Sequence, residues 1–538
     1  MRYNNHHFSD FSSHFVSCKE MVIIIRGEKD VTTQKGNKIQ TRIIISALLL
    51  LLQLVFLFYV LYDITAKSVA LYDVSMIAGT ITVISILNRR GNPDHKIAWI
   101  IFILVFPVFG ISVFLLWGGG RVMPHQRKKM EKCEAHYLPY LKEDEKVRDR
   151  LRYYDMFHSR QADYLSGESG YPLYGNTETE YLCPGEKILE KLLLELKEAQ
   201  KYIFMEFFIL AEGYMWDEIH KVLSQKVKEG VEVRVIFDDF GSIKRQHKNF
   251  ISNLRAEGIA VSVFNPIKPS MNIFMNNRSH RKIVVIDGKT AFTGGFNIGD
   301  EYINHMVRFG HWHDSGIMLK GEAVKSFLVM FLCMWEFTTK QELDINAYLT
   351  DYGAENDGFV LPYCDDPLND KNPAEGIYMQ ILNTAQKYVY ITSPYLIIDN
   401  TMISILSMAA KSGIDVRIVT PHIPDKWYVH PVTRYNYLEL LEAGVRIYEY
   451  TPGFIHSKLF VSDDKIATVG TVNMDYRSFI FHFECGTWIC DNSTVLDIKK
   501  EFEQVLSKSE EIKIEEWKKR PVLTRIKQAI LHIFAPFM

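Results

Sequence analysis

The chain has 538 residues, with 62 basic and 64 acidic side chains and a formal net charge of −2, so no bulk positive field is available to gather nucleic acid. Its seven cysteines are odd in number, scattered and free of Cys-x-x-Cys spacing, which argues against a disulfide scaffold and a zinc ribbon. The length leaves room for a membrane segment and two core-forming units.

A polar, flexible tail over 1–40 comes first. Ile43 to Tyr62 is then free of charge and long enough for one bilayer crossing. Val69 to Leu87 is apolar apart from Asp73, and Ile97 to Trp117 is again uncharged. These three runs predict transmembrane helices, because a cleaved signal peptide would not start so late or be succeeded by two more runs. Lys35, Lys38 and Arg42 place the N-terminus on the cytoplasmic side. Basic residues flank both ends of the third run (Arg89, Arg90 and Lys96 before it, Arg121, Arg127, Lys128 and Lys129 after it), and Pro107 and Gly110 interrupt it. A re-entrant hairpin satisfies both flanks and keeps the rest of the chain in the cytoplasm, whereas a full crossing would put it outside. Residues 121–170 read as a charged, mostly helical linker.

From there the chain writes the same unit twice. AQKYIF at 199–204 is answered by AQKYVY at 385–390, and KEGVEVRVI at 228–236 by KSGIDVRIV at 411–419. HRKIVVID at 280–287 is answered by HSKLFVSD at 456–463, and HDSGIML at 313–319 by FECGTWI at 483–489. Order is kept while loop lengths differ, which marks an internal duplication. Within each copy, helical stripes such as Ile188, Leu189, Leu192, Leu193 and Leu196 alternate with β-branched runs. That alternation predicts an α/β fold with helices flanking a mixed sheet.

Both His-x-Lys-x-x-x-x-Asp stretches run along a strand, so His280 and Lys282 share one face, as do His456 and Lys458. Packing the copies about a pseudo-twofold axis brings both pairs into one cleft. Lysines and Asn donors there would cradle an anion. One imidazole could attack phosphorus while the other protonates the departing alcohol. Asp314 and Glu484, at matching places, are candidates to orient the rings, although Asn297 precedes Asp314 by 17 residues and Asn473 precedes Glu484 by 11. His311, His313 and Asp314 also permit a metal-binding reading on one strand edge.

The paired motifs, each succeeded by a glycine step and an Asn, resemble the phospholipase D superfamily. GTVNMDYRS at 470–478 is close to that superfamily's Gly-Ser-x-Asn-x-Asp-x-Arg-Ser, with Thr471 for Ser, while Gly295-Phe296-Asn297 departs further and lacks the Arg-Ser. The resemblance implies two tandem phospholipase D-like units, 171–345 and 346–510, behind N-terminal transmembrane helices. It further implies catalytic His280, Lys282, Asp287, His456, Lys458 and Asp463, with the two Asp mainly in support. Asn297, Asn473, Asp314 and Glu484 would bind or support the phosphate, and no metal or other cofactor is needed. Asn92, Pro93, Ala98 and Trp99 at the entry to the third apolar run make the chain similar to the bacterial cardiolipin synthase family. That family joins two phosphatidylglycerol molecules at the cell membrane and releases glycerol. A phospholipase D that hydrolyses lipid would share every such residue, and a non-catalytic membrane scaffold would not need them. At the far end, 511–538 predicts an amphipathic helix bearing Leu523, Ile526, Ile530, Ile533 and Phe537, suited to a membrane interface beside anionic lipid or to docking on the domain.

Overall fold

The computed structural model describes residues 69–89, 93–117, 124–267, 276–355 and 357–538, with short pieces at 51–52, 55–60 and 62–63. The chain divides into two compact units, Met1–Tyr72 and Asp73–Met538. The 1–40 tail lies outside the described residues, as does much of the expected span 43–62.

Among the described residues no helix is long and apolar enough to cross a membrane. The third apolar run, 97–117, read as a re-entrant hairpin or a full crossing, is broken at Phe106 into helices Pro93–Val105 and Pro107–Trp117. They fold back on one another, so that Trp99 and Phe114 stack edge to face at 5.3 Å. The cause is local. Pro107 has no N–H to continue the first helix, and a Cβ on Gly110 would stand 2.8 Å from the Ile103 backbone. Ile86 joins Trp99, Ile103 and Phe114 in one buried cluster, so the preceding helix packs on this hairpin.

The first repeat holds β1 (Thr177–Leu182), β2 (Tyr202–Phe207), β3 (Glu232–Asp238), β4 (Ala260–Phe264), β5 (Arg278–Ser279), β6 (Ile283–Ile286), β7 (Thr290–Gly294), β8 (His311–His313) and β9 (Gly316–Gly321). The second holds β10 (Phe359–Asp365), β11 (Tyr388–Thr392), β12 (Leu396–Ile397), β13 (Asp415–Pro421), β14 (Arg446–Tyr450), β15 (Gly453–Ile455), β16 (Leu459–Ser462), β17 (Ile466–Gly470), β18 (Met474–Asp475), β19 (His482–Cys490) and β20 (Ser509–Glu511). The main sheets run β1-β9-β7-β6-β2-β3-β4 and β10-β19-β17-β16-β11-β13-β14-β20. Strand for strand these are the same order, with β20 added to the second.

Alternation along the strands assigns the faces. Ile283 and Val285 enter a core shared with Val461, Val469 and Ile489 of the other sheet, while Val284 and Ile286 point to helices on the outer side. Helix Val324–Thr339, apolar nearly all round, fills the space between the sheets. Helices Gly185–Glu198 and Tyr214–Lys228 cover the first sheet's outer face, and Pro373–Thr384 and Asn400–Lys411 cover the second's.

Residues 124–169, expected as a linker, are part of this body. Helix Pro124–Tyr137 buries Met130, Cys133 and Tyr137 beside Phe337. Helices Glu145–Tyr154 and Met156–Ser169, N-capped by Asp144 and Asp155, bury Leu151, Ala162 and Leu165 against the second repeat.

Candidate active site

The two repeats exchange the strand that leads into each histidine. β5 leaves its own sheet to pair with β19, and β15 pairs with β8. The first exchange is held by Asp238, whose carboxylate accepts from the Ser279 N–H at 3.1 Å and from Arg278 at 3.4 Å. Consequently the His280 N–H donates to the Phe483 carbonyl at 2.9 Å, and the His456 N–H to the His313 carbonyl at 2.7 Å. Each histidine thus arrives beside a carboxylate of the opposite repeat. His280 Nδ1 lies 2.9 Å from both oxygens of Glu484. His456 Nδ1 lies 2.7 Å from Asp314 Oδ2. Ionised carboxylates only accept, so each ring carries its proton on Nδ1 and leaves Nε2 for chemistry.

The departure at Gly295 has a steric reason. A Cβ there would stand 2.1 Å from Asp314 Oδ1, so only glycine lets the shorter carboxylate reach His456. At the matching position of the second repeat, Thr471 instead donates its hydroxyl to Glu484.

Lys282 and Lys458 are buried and donate to the carbonyls of His280 and His456 respectively. Burial lowers Lys282 to about 8 and Lys458 to about 7. Burial also takes His280 well below the ordinary imidazole value, with Lys282, Lys458 and His456 adding to the effect. His456 is pushed down to about 4 by burial and Lys458, against the pull of Asp314. Burial works to raise Asp314, yet His456 and Lys458 outweigh it and leave the carboxyl below its usual value. Both imidazoles are therefore neutral in the free cleft near pH 7. A bound anion between the lysines would reverse much of their repulsion.

The other sequence-predicted residues divide. Asp287 and Asp463 sit at the far ends of β6 and β16, seven residues of mostly extended chain or roughly 20 Å from the imidazoles. Each clamps its own AQKY turn. Asp287 accepts the N–H groups of Gln200, Lys201 and Tyr202 at 2.7–2.8 Å, and Asp463 those of Gln386, Lys387 and Tyr388 at 2.7–2.9 Å. Their place is structural. Asn297 is occupied, accepting from the Ile209 N–H and donating to the Tyr302 hydroxyl, both at 2.9 Å. Asn473 differs, for its buried Oδ1 has no partner among the described residues.

The metal reading of His311, His313 and Asp314 fails on geometry. His311 turns to the Tyr450 hydroxyl at 3.0 Å, Asp314 to His456, and His313 to Glu501 at 3.1 Å with Cys183 at 3.4 Å. Sequence reasoning named Thr471 only as a motif position and missed three rings around the cleft. The Phe208 ring lies 5.2 Å from His280, the Trp312 ring 5.1 Å from His456 and the His482 ring 5.3 Å from His280. Trp312 and His482 had a legible signal, since each stands two residues before its repeat's carboxylate.

Against known proteins, residues 192–331 and 378–506 match the family model described as cardiolipin synthase, PLD-like domain. Residues 77–119 match one described as phospholipase D-nuclease N-terminal. Cardiolipin synthase 2 of Bacillus anthracis is 35% identical over 463 residues, covering 85% of this chain and 89% of its own. A cardiolipin synthase of Halalkalibacterium halodurans is 32% identical over 477 residues, covering 85% and 93%. Among solved structures, phosphatidylserine synthase of Haemophilus influenzae Rd KW20 superposes with a TM-score of 0.54 at 14% identity, over 70% of this chain and 98% of its own, a likeness of fold.

Proposed function

The chain belongs to the cardiolipin synthase family with phospholipase D-like domains, and from that premise we propose that it is a phosphatidyltransferase acting on phosphatidylglycerol. It joins two such molecules into cardiolipin and glycerol through a phosphohistidine. The observation that carries this reading is the crossed arrangement, in which two buried neutral imidazoles are each held by a carboxylate from the other repeat. A membrane scaffold would have no use for two lysines kept buried beside them.

The chemistry comes from the groups present. A diester anion settles between Lys282 and Lys458. Nε2 of one histidine attacks phosphorus and the bond to the glycerol oxygen breaks. The other histidine, drawn to its protonated form by the anion, gives that oxygen its proton. Glycerol leaves. The primary hydroxyl of a second phosphatidylglycerol then loses its proton to the same acid–base histidine and attacks phosphorus, freeing the nucleophile. An alcohol held by its lipid anchor arrives positioned, which water does not. Purified enzyme in phosphatidylglycerol vesicles is expected to release glycerol and cardiolipin in equal amounts. Phosphatidic acid as the main product would make it a hydrolase.

We place the enzyme on the cytoplasmic face of a membrane. The hairpin over 93–117 enters and leaves on one side, consistent with the basic residues at both of its ends. Tyr476 of the second repeat donates to Asp94 of that hairpin at 2.7 Å. The C-terminal helix Val522–His532 supports the same side. It turns Gln528 inward and leaves Leu523, Ile526 and Ile530 about half exposed or more, at 78, 49 and 53%. The helix docks on the second repeat by its other face, where His532 stacks on Tyr435 at 4.0 Å and Ala535 joins Val429 and Val432, and this leaves the apolar side uncovered. Arg525 and Lys527 flank this apolar face, and Lys527 lies 5.8 Å from the exposed Trp427 ring. Next to it, Lys426 is among the charges that lower His280. Leu523→Glu with Ile530→Glu is expected to raise the apparent KM for phosphatidylglycerol in mixed vesicles roughly tenfold while kcat holds. An unchanged KM would remove the helix from the membrane.

A further inference from the structure

We propose that Cys183, His313 and Glu501 form a binding site for one zinc-class divalent cation, which ties the two repeats together at the strand exchange behind His456. Cys183 directly follows β1, His313 ends β8, and Glu501 lies on the second repeat's helix Thr494–Ser507. One nitrogen meets both partners. His313 Nε2 lies 3.4 Å from Cys183 Sγ and 3.1 Å from Glu501 Oε1. The three donor atoms all lie within 4.8 Å of one another. In a tetrahedral zinc site, bonds of about 2.3 Å to sulfur and about 2.0–2.2 Å to nitrogen and oxygen set neighbouring ligand atoms roughly 3.3–3.6 Å apart. The side chains therefore need to yield by only a few tenths of an ångström. His311 and Asp314, turned to other partners, take no part.

Hydrogen bonding alone serves this cluster poorly. A single proton on Nε2 cannot go to the carboxylate and the sulfur at once, and His313 Nδ1 is buried with no hydrogen-bond partner among the described residues. The Tyr181 hydroxyl, two residues before Cys183, and Ser315 Oγ, two after His313, are buried without such a partner too. Burial, and next the charge of Cys183, raise Tyr181 well above its ordinary value, so its oxygen belongs to the same cluster. Three protein donors leave zinc one position for a water, and these two hydroxyls are placed to hold it. Thiolate, imidazole and carboxylate together suit zinc, whereas calcium and magnesium take oxygen ligands. As the Zn–S bond forms, the thiol gives up its proton to solvent. A nucleophilic triad would need the sulfur open to substrate, and Cys183 is buried. The role is mechanical. The His456 N–H donates to the His313 carbonyl at 2.7 Å, and β8 pairs with β15. An ion on the His313 ring anchors that crossing to β1 and to a helix of the second repeat, away from the reacting atoms.

The test uses purified full-length enzyme in detergent, stripped with a chelator and titrated with Co2+ as a spectroscopic stand-in for Zn2+. One equivalent is expected to bind with a sulfur-to-cobalt charge-transfer band, and Zn2+ to displace it. The other groups of histidines and carboxylates among the described residues that could hold an ion, His280–His482–Glu484 and His136–Glu336–Glu342, contain no sulfur, so the band does not report them. Cys183→Ser abolishes the band. Glu501→Gln, at a partly exposed side chain, weakens binding by at least the roughly tenfold that an outer-shell partner is worth. Saturating zinc raises the Tm of the wild type by roughly 5 °C and that of Cys183→Ser not at all. No band in the wild type, a band that survives Cys183→Ser, or unchanged affinity in Glu501→Gln would overturn the proposal. Turnover is not the readout, so the result is independent of whether the lipid product is cardiolipin.

Discussion

His280→Ala and His456→Ala each lower phosphatidyl transfer by about four orders of magnitude or more, and the double variant is little worse than either. The reason is that neither imidazole completes a half-reaction alone. In the proposed mechanism one forms the covalent bond to phosphorus, and the other carries the proton that the glycerol oxygen takes and the second lipid's hydroxyl gives back. The histidines lie in one field, since His456 and Lys458 both act on His280. Once one member is lost, the other has nothing left to assist. Substantial turnover in either single variant, measured as cardiolipin formed in vesicles, would mean that the repeats work as separate sites.

Glu484→Gln and Asp314→Asn come next, each with a loss of about two to four orders of magnitude in kcat and little change in folding. Both substitutions keep the side chain's shape. An amide, however, can present its NH2 to the facing Nδ1 and so favour the tautomer that puts the proton on Nε2, where a lone pair is needed. It also removes the charge that steadies an imidazolium. The crossed exchange makes this prediction specific, because Glu484 acts on a histidine 204 positions earlier in the chain and Asp314 on one 142 positions later. Losses below tenfold in variants with native circular dichroism would show that the rings are oriented by something else.

The two His–Lys pairs were legible as pairs because the same polar residues recur in strands whose remaining positions are apolar. The sheets were legible too, through alternation and helical stripes. What the chain hides is the crossing. Nothing local in Arg278-Ser279 or in Gly453–Ile455 shows that these strands join the other repeat. The unequal spacing before Asp314 arises in the stretch 300–310, where a 3-10 turn at Asp300–Ile303 and a loop intervene, while the second repeat has only the short helix Tyr476–Ile480. Asp287 and Asp463 share the motif with His and Lys, yet the length of a strand separates them from the chemistry. The run 97–117 has the length of a crossing, yet Pro107 and Gly110 already marked in the sequence the break that folds it back. Charge over 124–169 masks a few anchors such as Met130, Tyr137 and Leu165 that tie those helices to the core. His482 stands two residues before Glu484 in the sequence, and the fold adds that its ring lies 5.3 Å from His280.

Transfer through a covalent histidine makes the first half-reaction reversible, because glycerol leaves before the second lipid must react. Isotopically labelled glycerol supplied to purified enzyme in phosphatidylglycerol vesicles is expected to exchange into phosphatidylglycerol, and excess glycerol to convert cardiolipin back. Both activities should vanish in His280→Ala and His456→Ala. Accumulation of phosphatidic acid without any glycerol exchange would contradict the account.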